Sequence, residues 1–260
     1  MLQKSLGKTG IKISEIGQGT WAFRGGVEPL KVGVSLGATH VDTAEMYGTE
    51  GVVGKAIADI RDKVFLATKV SPQHLHYDDL IKAAEGSLSR LDTKILDLYM
   101  IHWPNPRIPI KETMKAMEDL VKKGKIRHIG VSNFSVEDLK EAQAAMSSQE
   151  IVSNQVEYNL ATRGVEDELI PFCKEQKITI VAYSPLSRGQ VSKKKDEVLD
   201  KIASKYGKTI AQVALNFLTR EENVVAIPKT DNTQHVKENC EASGWRLSEA
   251  DIKLIDARFR

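Results

Sequence analysis

The sequence lacks the features that mark secreted, membrane-spanning or nucleic-acid-binding proteins. Its two cysteines, Cys173 and Cys240, lie in stretches that read as helical and provide neither a disulfide framework nor metal-ligand spacing. No apolar run approaches the length of a membrane span, and residues 1–10 contain no apolar signal-peptide core. Lys and Arg number 37 against 35 Asp and Glu, so the net charge of +2 does not favour a nucleic-acid partner. These absences lead us to expect a reduced, cytoplasmic protein with no membrane and no nucleic acid among its partners.

The composition is that of an ordinary globular protein. With 41% hydrophobic and 28% charged residues in a chain of 260, folding should bury roughly 70–75% of the chain's accessible surface. A length of about 250 residues is also usual for one α/β barrel. The dense basic run Lys193–Lys195 is interpreted as a solvated loop beside the start of a helix.

Strand-like apolar runs alternate with amphipathic stretches along most of the chain. An opening segment, residues 2–14, contains two glycine turn signals and predicts a β-hairpin. Apolar residues at three- and four-residue spacing predict helices over Tyr77–Leu91 and Ile110–Lys123, and a short closing helix is predicted over Leu247–Ala257. Eight strands are predicted, at Glu15–Gly19, His40–Thr43, Val64–Lys69, Leu96–His102, His128–Asn133, Ser153–Tyr158, Thr179–Ser184 and Val224–Pro228.

Eight βα units in an uninterrupted row, with no flexible linker, predict an α/β fold consisting of a single (β/α)₈ TIM barrel over residues 1–260. The alternative is an open doubly wound sheet with a dinucleotide fingerprint. Gly17 and Gly19 supply only its first two glycines, and Ala22 stands where the third would fall. A phosphate-binding P-loop is rejected too, because Gly48–Lys55 is one residue too long and Ala56 replaces the required Ser or Thr.

The predicted strands are apolar through their bodies and polar at their carboxyl ends. Val41 leads to Asp42, residues 64–67 lead to Lys69, and residues 98–101 lead to His102. Because the carboxyl ends of all eight barrel strands converge on the face that holds the active site, we expect one shared site there. Later strands end in the same way and contribute Ser132, Asn133, Gln155, Tyr183, Ser184, Lys229 and Thr230.

Four of these polar residues suit acid catalysis on a carbonyl. Asp42, Lys69 and His102 end three neighbouring strands, and Tyr47 follows in a loop. A phenol has a pKa of about 10, and a nearby ammonium lowers it, while a carboxylate keeps that ammonium charged. We therefore expect Tyr47 to be a general acid tuned by Lys69 and Asp42, with a neutral His102 orienting the carbonyl.

Each residue alone also has a simpler interpretation. Asp42 and Lys69 could form a structural ion pair, and His102 could be a satisfied core histidine. Lys69 could also be the Schiff-base lysine of a barrel aldolase. If these alternatives held, the presence of these three residue types together at neighbouring strand ends would need a separate coincidence for each residue.

Segments carrying these residues resemble the aldo-keto reductases along nearly the whole chain. The resemblance implies a (β/α)₈ barrel that reduces aldehydes and ketones with a nicotinamide cofactor. We expect that cofactor to be NADPH, with NADH usable as well. It implies Tyr47 as proton donor, Lys69 and Asp42 as its tuners, and His102 as orienter. The matching segments are LGKTGIKISEIGQGTW (6–21), VDTAEMYG (41–48), LATKV (66–70), LDLYMIHWP (96–104), GKIRHIGVSNF (124–134), NQVEYN (154–159), AYSPLSRG (182–189), IPKT (227–230) and HVKEN (235–239).

The same resemblance implies where the cofactor lies. Ser132, Asn133 and Gln155 would bind the nicotinamide carboxamide, and Tyr183 would stack on its ring. Ser184, Leu186 and the 187–189 turn would border the diphosphate, whereas Lys229 and Thr230 would hold the 2′-phosphate. The full set of cofactor-binding candidates is Gly19, Thr20, Trp21, Asp42, Ser132, Asn133, Gln155, Tyr183, Ser184, Leu186, Ser187, Gly189, Ile227, Lys229, Thr230, His235, Glu238 and Asn239.

Two departures from the family pattern carry further expectations. His235 stands where many members carry an Arg for the 2′-phosphate, so the NADPH preference is expected to be modest unless Lys237 or Arg188 compensates. The chain reaches Arg260 soon after its last predicted helix, so we expect an open, shallow pocket with broad small-carbonyl specificity. Substrate-binding candidates are Trp21, Phe23, Tyr47, His102 and Trp103.

Two rival functions stay open at this point. One is a non-catalytic, nicotinamide-sensing regulatory subunit on the same fold, like the potassium-channel β subunits that resemble this family. The other is the Schiff-base aldolase based on Lys69. We expect no metal, and a monomer or weak oligomer.

Overall fold

The predicted strands form a parallel barrel, as the sequence indicates. The computed structural model describes residues 1–191 and 196–260, so the basic run at 193–195 lies outside the described residues. A two-stranded antiparallel hairpin precedes the barrel and consists of β1 (Gln3–Ser5) and β2 (Lys12–Ser14). The barrel strands are β3 (Gln18–Gly19), β4 (His40–Asp42), β5 (Phe65–Val70), β6 (Leu96–Ile101), β7 (Ile126–Ser132), β8 (Ile151–Glu157), β9 (Thr179–Tyr183) and β10 (Val224–Ala226).

The barrel strands pair side by side in chain order from β3 to β10. The ring closes where Ile16 forms a parallel bridge with Ala226. Across this seam the amide of Gly17 donates to the Ala226 carbonyl at 2.8 Å. A Cβ at Gly17 would lie 2.7 Å from the His40 carbonyl oxygen, and one at Gly19 would lie 2.8 Å from that of Ile227. The close approach of the His40 and Ile227 carbonyls therefore requires glycine at both positions.

The hairpin closes the amino-terminal end of the barrel. Leu6 and Ile13 are 0% and 1% exposed and pack with interior side chains of the strands, which contributes about 1.5–3 kcal/mol for each such side chain. The Lys4 ammonium donates to the carbonyls of Thr219 and Glu221, both at 2.6 Å, and to that of Val224 at 2.7 Å. The carboxyl ends of the strands, at the opposite end of the barrel, are not covered by the hairpin.

Amphipathic helices surround the strands. The helix over Tyr77–Arg90 buries Leu80, Ala84 and Leu88 at four-residue spacing and carries two aspartates in its first turn, which favours its amino end. The helices are α1 (Glu28–Ser35), α2 (Glu50–Ile57), α3 (Tyr77–Arg90), α4 (Ile110–Lys122), α5 (Val136–Ala144), α6 (Leu169–Glu175), α7 (Glu197–Tyr206), α8 (Ile210–Leu218), α9 (Thr233–Cys240) and α10 (Glu249–Phe259).

The predicted boundaries shift by a few residues. The closing helix starts at Glu249, not Leu247, because the Ser248 side chain accepts a hydrogen bond from the Asp251 amide and caps it. The first barrel strand is shorter than predicted, since Glu15 and Ile16 contact β10 through the closing seam. Both cysteines are free. Among residues 1–191 and 196–260, no helix combines the length and apolar character that crossing a membrane requires.

Candidate active site

A cavity of about 920 Å³ opens at the carboxyl ends of the strands, toward the upper end of the range for ligand pockets. Asp42 ends β4, Ser132 ends β7 and Tyr183 ends β9, and all three line it. His102, which follows β6, lines it too. These polar strand ends therefore meet around one cavity.

Asp42 and Lys69 form a buried ion pair beneath the cavity. The Lys69 ammonium lies 2.6 Å from Asp42 Oδ1 and also donates to the Thr43 carbonyl at 2.9 Å. The amide nitrogen of Gln155 donates to Asp42 Oδ2 at 2.8 Å. Burial alone would lower the pKa of Lys69, but the Asp42 carboxylate and the Tyr47 phenol hold it above its ordinary value. Lys69 is therefore a fixed ammonium.

This environment opposes the aldolase interpretation. A Schiff-base lysine needs a lowered pKa and contact with substrate. Lys69 is 0% exposed and is absent from the residues that line the cavity. Its charge acts on the cavity through Tyr47.

Tyr47 lies between this ion pair and the cavity. It ends a short 3₁₀ turn, Glu45–Tyr47, that follows β4. The Lys69 ammonium lies 4.9 Å from the centre of the Tyr47 ring, and the phenol oxygen lies 3.4 Å from His102 Nε2. Burial raises the pKa of Tyr47 by more than the Lys69 charge lowers it. The expectation of a lowered pKa is thus wrong in net direction, and the phenol keeps its proton at neutral pH.

His102 is a neutral imidazole in this site. Burial, assisted by the charge of Lys69, lowers its pKa to about 4. Its Nε2 faces the Tyr47 phenol, whereas its Nδ1 has no hydrogen-bond partner within residues 1–191 and 196–260. The imidazole can therefore act as a hydrogen-bond donor without carrying a charge.

Glu45 anchors the turn that carries Tyr47, a role that sequence reasoning missed. Its carboxylate accepts a hydrogen bond from the Ser71 amide at 2.9 Å and lies 2.8 Å from His74 Nδ1. Ser71 follows β5, two residues after Lys69. Glu45 therefore ties the Tyr47 turn to the strand that carries Lys69.

A row of hydrogen bonds forms one wall of the cavity. The Asn133 amide nitrogen donates to the His102 carbonyl and to Ser132 Oγ, both at 3.0 Å. The Tyr183 hydroxyl donates to Asn133 Oδ1 at 3.0 Å. Asn133 has φ 62°, a left-handed conformation that asparagine tolerates better than most residues. These bonds fix the orientation of Asn133 and Tyr183 beside His102.

A second group of polar residues lines the cavity where β10 leads into α9. The Lys229 ammonium lies 2.6 Å from Asp231 Oδ2, and the Arg24 amide donates to Asp231 Oδ1 at 2.8 Å. His235 lies in the first turn of α9, where Asn232 caps the helix. Asp231 therefore holds Lys229 in place and joins two loops in this part of the cavity.

Most predicted site residues line the cavity. They are Gly19, Thr20, Trp21, Asp42, Tyr47, His102, Trp103, Ser132, Asn133, Gln155, Tyr183, Ser184, Leu186, Gly189, Ile227, Lys229, Thr230, His235, Glu238 and Asn239.

Phe23 and Ser187 do not line it. Phe23 is 7% exposed and packs in the hydrophobic core, because the loop after β3 folds inward at this residue. Six lining residues are absent from the predicted site residues, although Arg188 was considered as a partner of the 2′-phosphate. Five of them adjoin predicted ones in the chain, so proximity was the available signal, but Ala211 at the start of α8 carried none. The six are Ala22, Met46, Pro185, Arg188, Ala211 and Pro228.

Three large apolar side chains form an exposed rim on the cavity. Trp21, Met46 and Trp103 are 52%, 56% and 47% exposed, and all line the cavity. Met46 and Trp103 adjoin Tyr47 and His102 in the chain, so the rim is apolar beside these two polar groups.

Comparisons with known proteins agree with this architecture. Residues 15–258 match the model of the aldo/keto reductase family. The chain is 37% identical to methylglyoxal reductase YeaE of Escherichia coli, covering 100% of this chain and 96% of the relative. It is also 37% identical to the glyoxal reductase of Bacillus subtilis, covering 95% and 90% respectively.

Two solved structures also resemble this chain in both sequence and fold. The thermostable aldo-keto reductase Tm1743, solved with the inhibitor epalrestat, is 46% identical with a TM-score of 0.94, covering 99% of both chains. A Klebsiella pneumoniae aldo/keto reductase, solved with NADP and acetate, is 36% identical with a TM-score of 0.93 and covers 100% of this chain and 96% of its own. This chain belongs to the aldo/keto reductase family.

Proposed function

We propose that this protein reduces small aldehydes and ketones to alcohols with NADPH and that Tyr47 is the proton donor. The observation that carries the proposal is a protonated phenol 3.4 Å from a neutral imidazole at the cavity wall, above a buried Lys69–Asp42 pair. The names of the relatives, methylglyoxal reductase and glyoxal reductase, support this substrate class.

The residues around the cavity fit a nicotinamide dinucleotide phosphate. The wall of Ser132, Asn133 and Tyr183 offers amide, hydroxyl and aromatic groups beside His102, and these suit a nicotinamide carboxamide and ring. Lys229 and Thr230, which follow β10, suit the 2′-phosphate. When bound, the cofactor supplies the hydride.

Side chains of this protein supply the proton and stabilise the negative charge that develops during reduction. The Tyr47 phenol gives its proton to the carbonyl oxygen as negative charge develops there, and His102 donates a hydrogen bond from Nε2 to the same oxygen. The proton leaves a phenolate on Tyr47, which the Lys69 ammonium stabilises. Asp42 keeps Lys69 charged, and Gln155 fixes Asp42. Water then returns a proton to Tyr47.

Tyr47→Phe tests the assignment. We expect kcat for aldehyde reduction to fall by about 10²–10⁴-fold, the usual contribution of a general acid, while NADPH still quenches tryptophan fluorescence. Tyr77→Phe is the matched control, because Tyr77 lies on α3 and its hydroxyl bonds Asp119 outside the cavity. Turnover at the wild-type rate in Tyr47→Phe would refute Tyr47 as the donor.

A panel of aldehydes and ketones distinguishes the remaining possibilities. We expect the wild-type protein to oxidise NADPH with many small carbonyl compounds, because the rim is apolar and exposed. Stoichiometric NADPH binding without turnover on any of them would favour the sensing subunit. A borohydride-trapped adduct at Lys69 would favour the aldolase.

A further inference from the structure

Arg188 lies on the turn that follows β9, at the mouth of the cavity. Ser187 and Arg188 both have left-handed backbones, with φ 48° and 55°, although such angles cost non-glycine residues about 1 kcal/mol or more. The Arg188 guanidinium carbon lies 5.1 Å from the centre of the Trp21 ring. The strained turn thus directs a cation onto an aromatic side chain across the opening.

The charge balance of the cavity singles out Arg188. The ammonium groups of Lys69 and Lys229 lie 2.6 Å from the carboxylates of Asp42 and Asp231, respectively. Arg188 has no carboxylate within 4.0 Å in the described part of the chain, and the undescribed residues 192–195 are Ser and Lys only. Its charge is therefore available to a ligand.

Arg188 lines the same cavity as Tyr47 and His102. It contacts Trp21, one of the three exposed apolar side chains of the rim, and Trp103 of that rim directly follows His102 in the chain. The Arg188 guanidinium therefore lies at the rim of the cavity that Tyr47 and His102 line.

We propose that Arg188 binds a carboxylate carried by the carbonyl substrate, so that the protein prefers carbonyl acids to neutral carbonyl compounds of the same size. A guanidinium stacked on a ring keeps its in-plane N–H groups free, and these match a carboxylate in two-pronged fashion. The apolar rim of Trp21, Met46 and Trp103 covers the spacer between the carbonyl and the acid. This inference rests on the proposed reductase function.

A phosphate of the cofactor could bind Arg188 instead of a substrate carboxylate, because the 187–189 turn is expected to border the cofactor diphosphate. The test therefore compares 4-carboxybenzaldehyde with its methyl ester and measures NADPH affinity separately. The variants are Arg188→Gln and Arg188→Lys, and Arg24→Gln is the matched control, because Arg24 is an exposed arginine on the loop after β3 that is absent from the cavity lining.

We expect wild type and Arg24→Gln to favour the acid over the ester in kcat/KM. In Arg188→Gln this acid-to-ester ratio should fall by about 10–100-fold, the value of a hydrogen bond to a charged group, and Arg188→Lys should restore part of it. A ratio that is unchanged in Arg188→Gln overturns the proposal, and a raised NADPH Kd in the same variant would assign Arg188 to a cofactor phosphate.

Calorimetry separates this inference from the reductase function. Both aldehydes are titrated into the complex with NADP⁺, which cannot reduce them. Acid binding that is tighter than ester binding and depends on Arg188 supports the inference even without turnover. Equal affinities for acid and ester overturn it. Failure of every aldehyde in the NADPH assay would refute the reductase proposal alone.

Discussion

The buried pair of Asp42 and Lys69 offers the sharpest test of how this site is built. The two charges lie 2.6 Å apart with side chains 2% and 0% exposed. At an effective dielectric constant of about 20, their attraction is about 6 kcal/mol, which is offset by a desolvation cost of several kcal/mol for each ion. The intact pair therefore contributes little net stability, but either charge alone is strongly unfavourable.

This balance predicts a non-additive pair of substitutions. Lys69→Met leaves the Asp42 carboxylate with only the Gln155 hydrogen bond, and Asp42→Asn leaves the Lys69 ammonium without a counter-ion. Each single variant should lose about 3–5 kcal/mol of unfolding free energy, whereas the double variant should be more stable than either one. All three should lose carbonyl reduction, because the phenolate of Tyr47 loses its stabilising charge.

Urea unfolding of the four proteins, followed by far-UV circular dichroism, measures the cycle. Equal slopes against urea would show that the comparison is made between similar unfolded states. A double variant that is destabilised by the sum of the two single effects would show that the charges act independently, and the reasoning would be refuted. Retained turnover in Lys69→Met would refute the role given to its charge.

Three further predictions concern the pH profile, the anchoring of the Tyr47 turn and the cofactor preference. The pKa of His102 is about 4 and that of Tyr47 is raised above its ordinary 10.0. We therefore expect kcat for reduction to stay level from about pH 5 to about pH 9 and to fall outside that range. A decline of kcat centred near the ordinary histidine pKa of about 6.5 would contradict a neutral imidazole. Glu45→Ala should lower kcat by about 3–10-fold through lost hydrogen bonds, and Glu45→Gln should recover part of it, with unchanged NADPH affinity measured by fluorescence; full activity in Glu45→Ala would exclude the anchoring role. Lys229→Met should raise the NADPH Kd by about 10-fold and leave that of NADH nearly constant, with Lys82→Met, on α3 outside the cavity, as the control; equal effects on the two cofactors would place the 2′-phosphate elsewhere.

The barrel and the positions of three of the four proposed catalytic residues could be predicted because both follow from strand polarity. Asp42, Lys69 and His102 each follow an apolar strand body, and parallel topology then brings them together. Tyr47 lies in the turn after the second barrel strand; it was grouped with the other three on that ground, and the family resemblance implied the same role. Periodicity also identified helices α3 and α4 to within one residue.

The remaining features depend on packing that the sequence does not display. Burial decides the net pKa of Tyr47, and only the assembled barrel sets that burial. Phe23 is an apolar loop residue that suits a pocket wall and a core equally well, and the fold places it in the core. The Glu45 contacts with Ser71 and His74 join segments 26 and 29 residues apart. No local pattern encodes those contacts.

The closing seam also governs when this protein can fold during synthesis. Lys4 reaches carbonyl groups 215–220 residues ahead of it in the chain, and the first strand finds its second neighbour only at Ala226. A ribosome must therefore release nearly the whole polypeptide before either edge of the sheet is covered. Until then both edges can pair with other chains. Synthesis at a slow rate or at high concentration should therefore favour aggregation of nascent chains that lack β10.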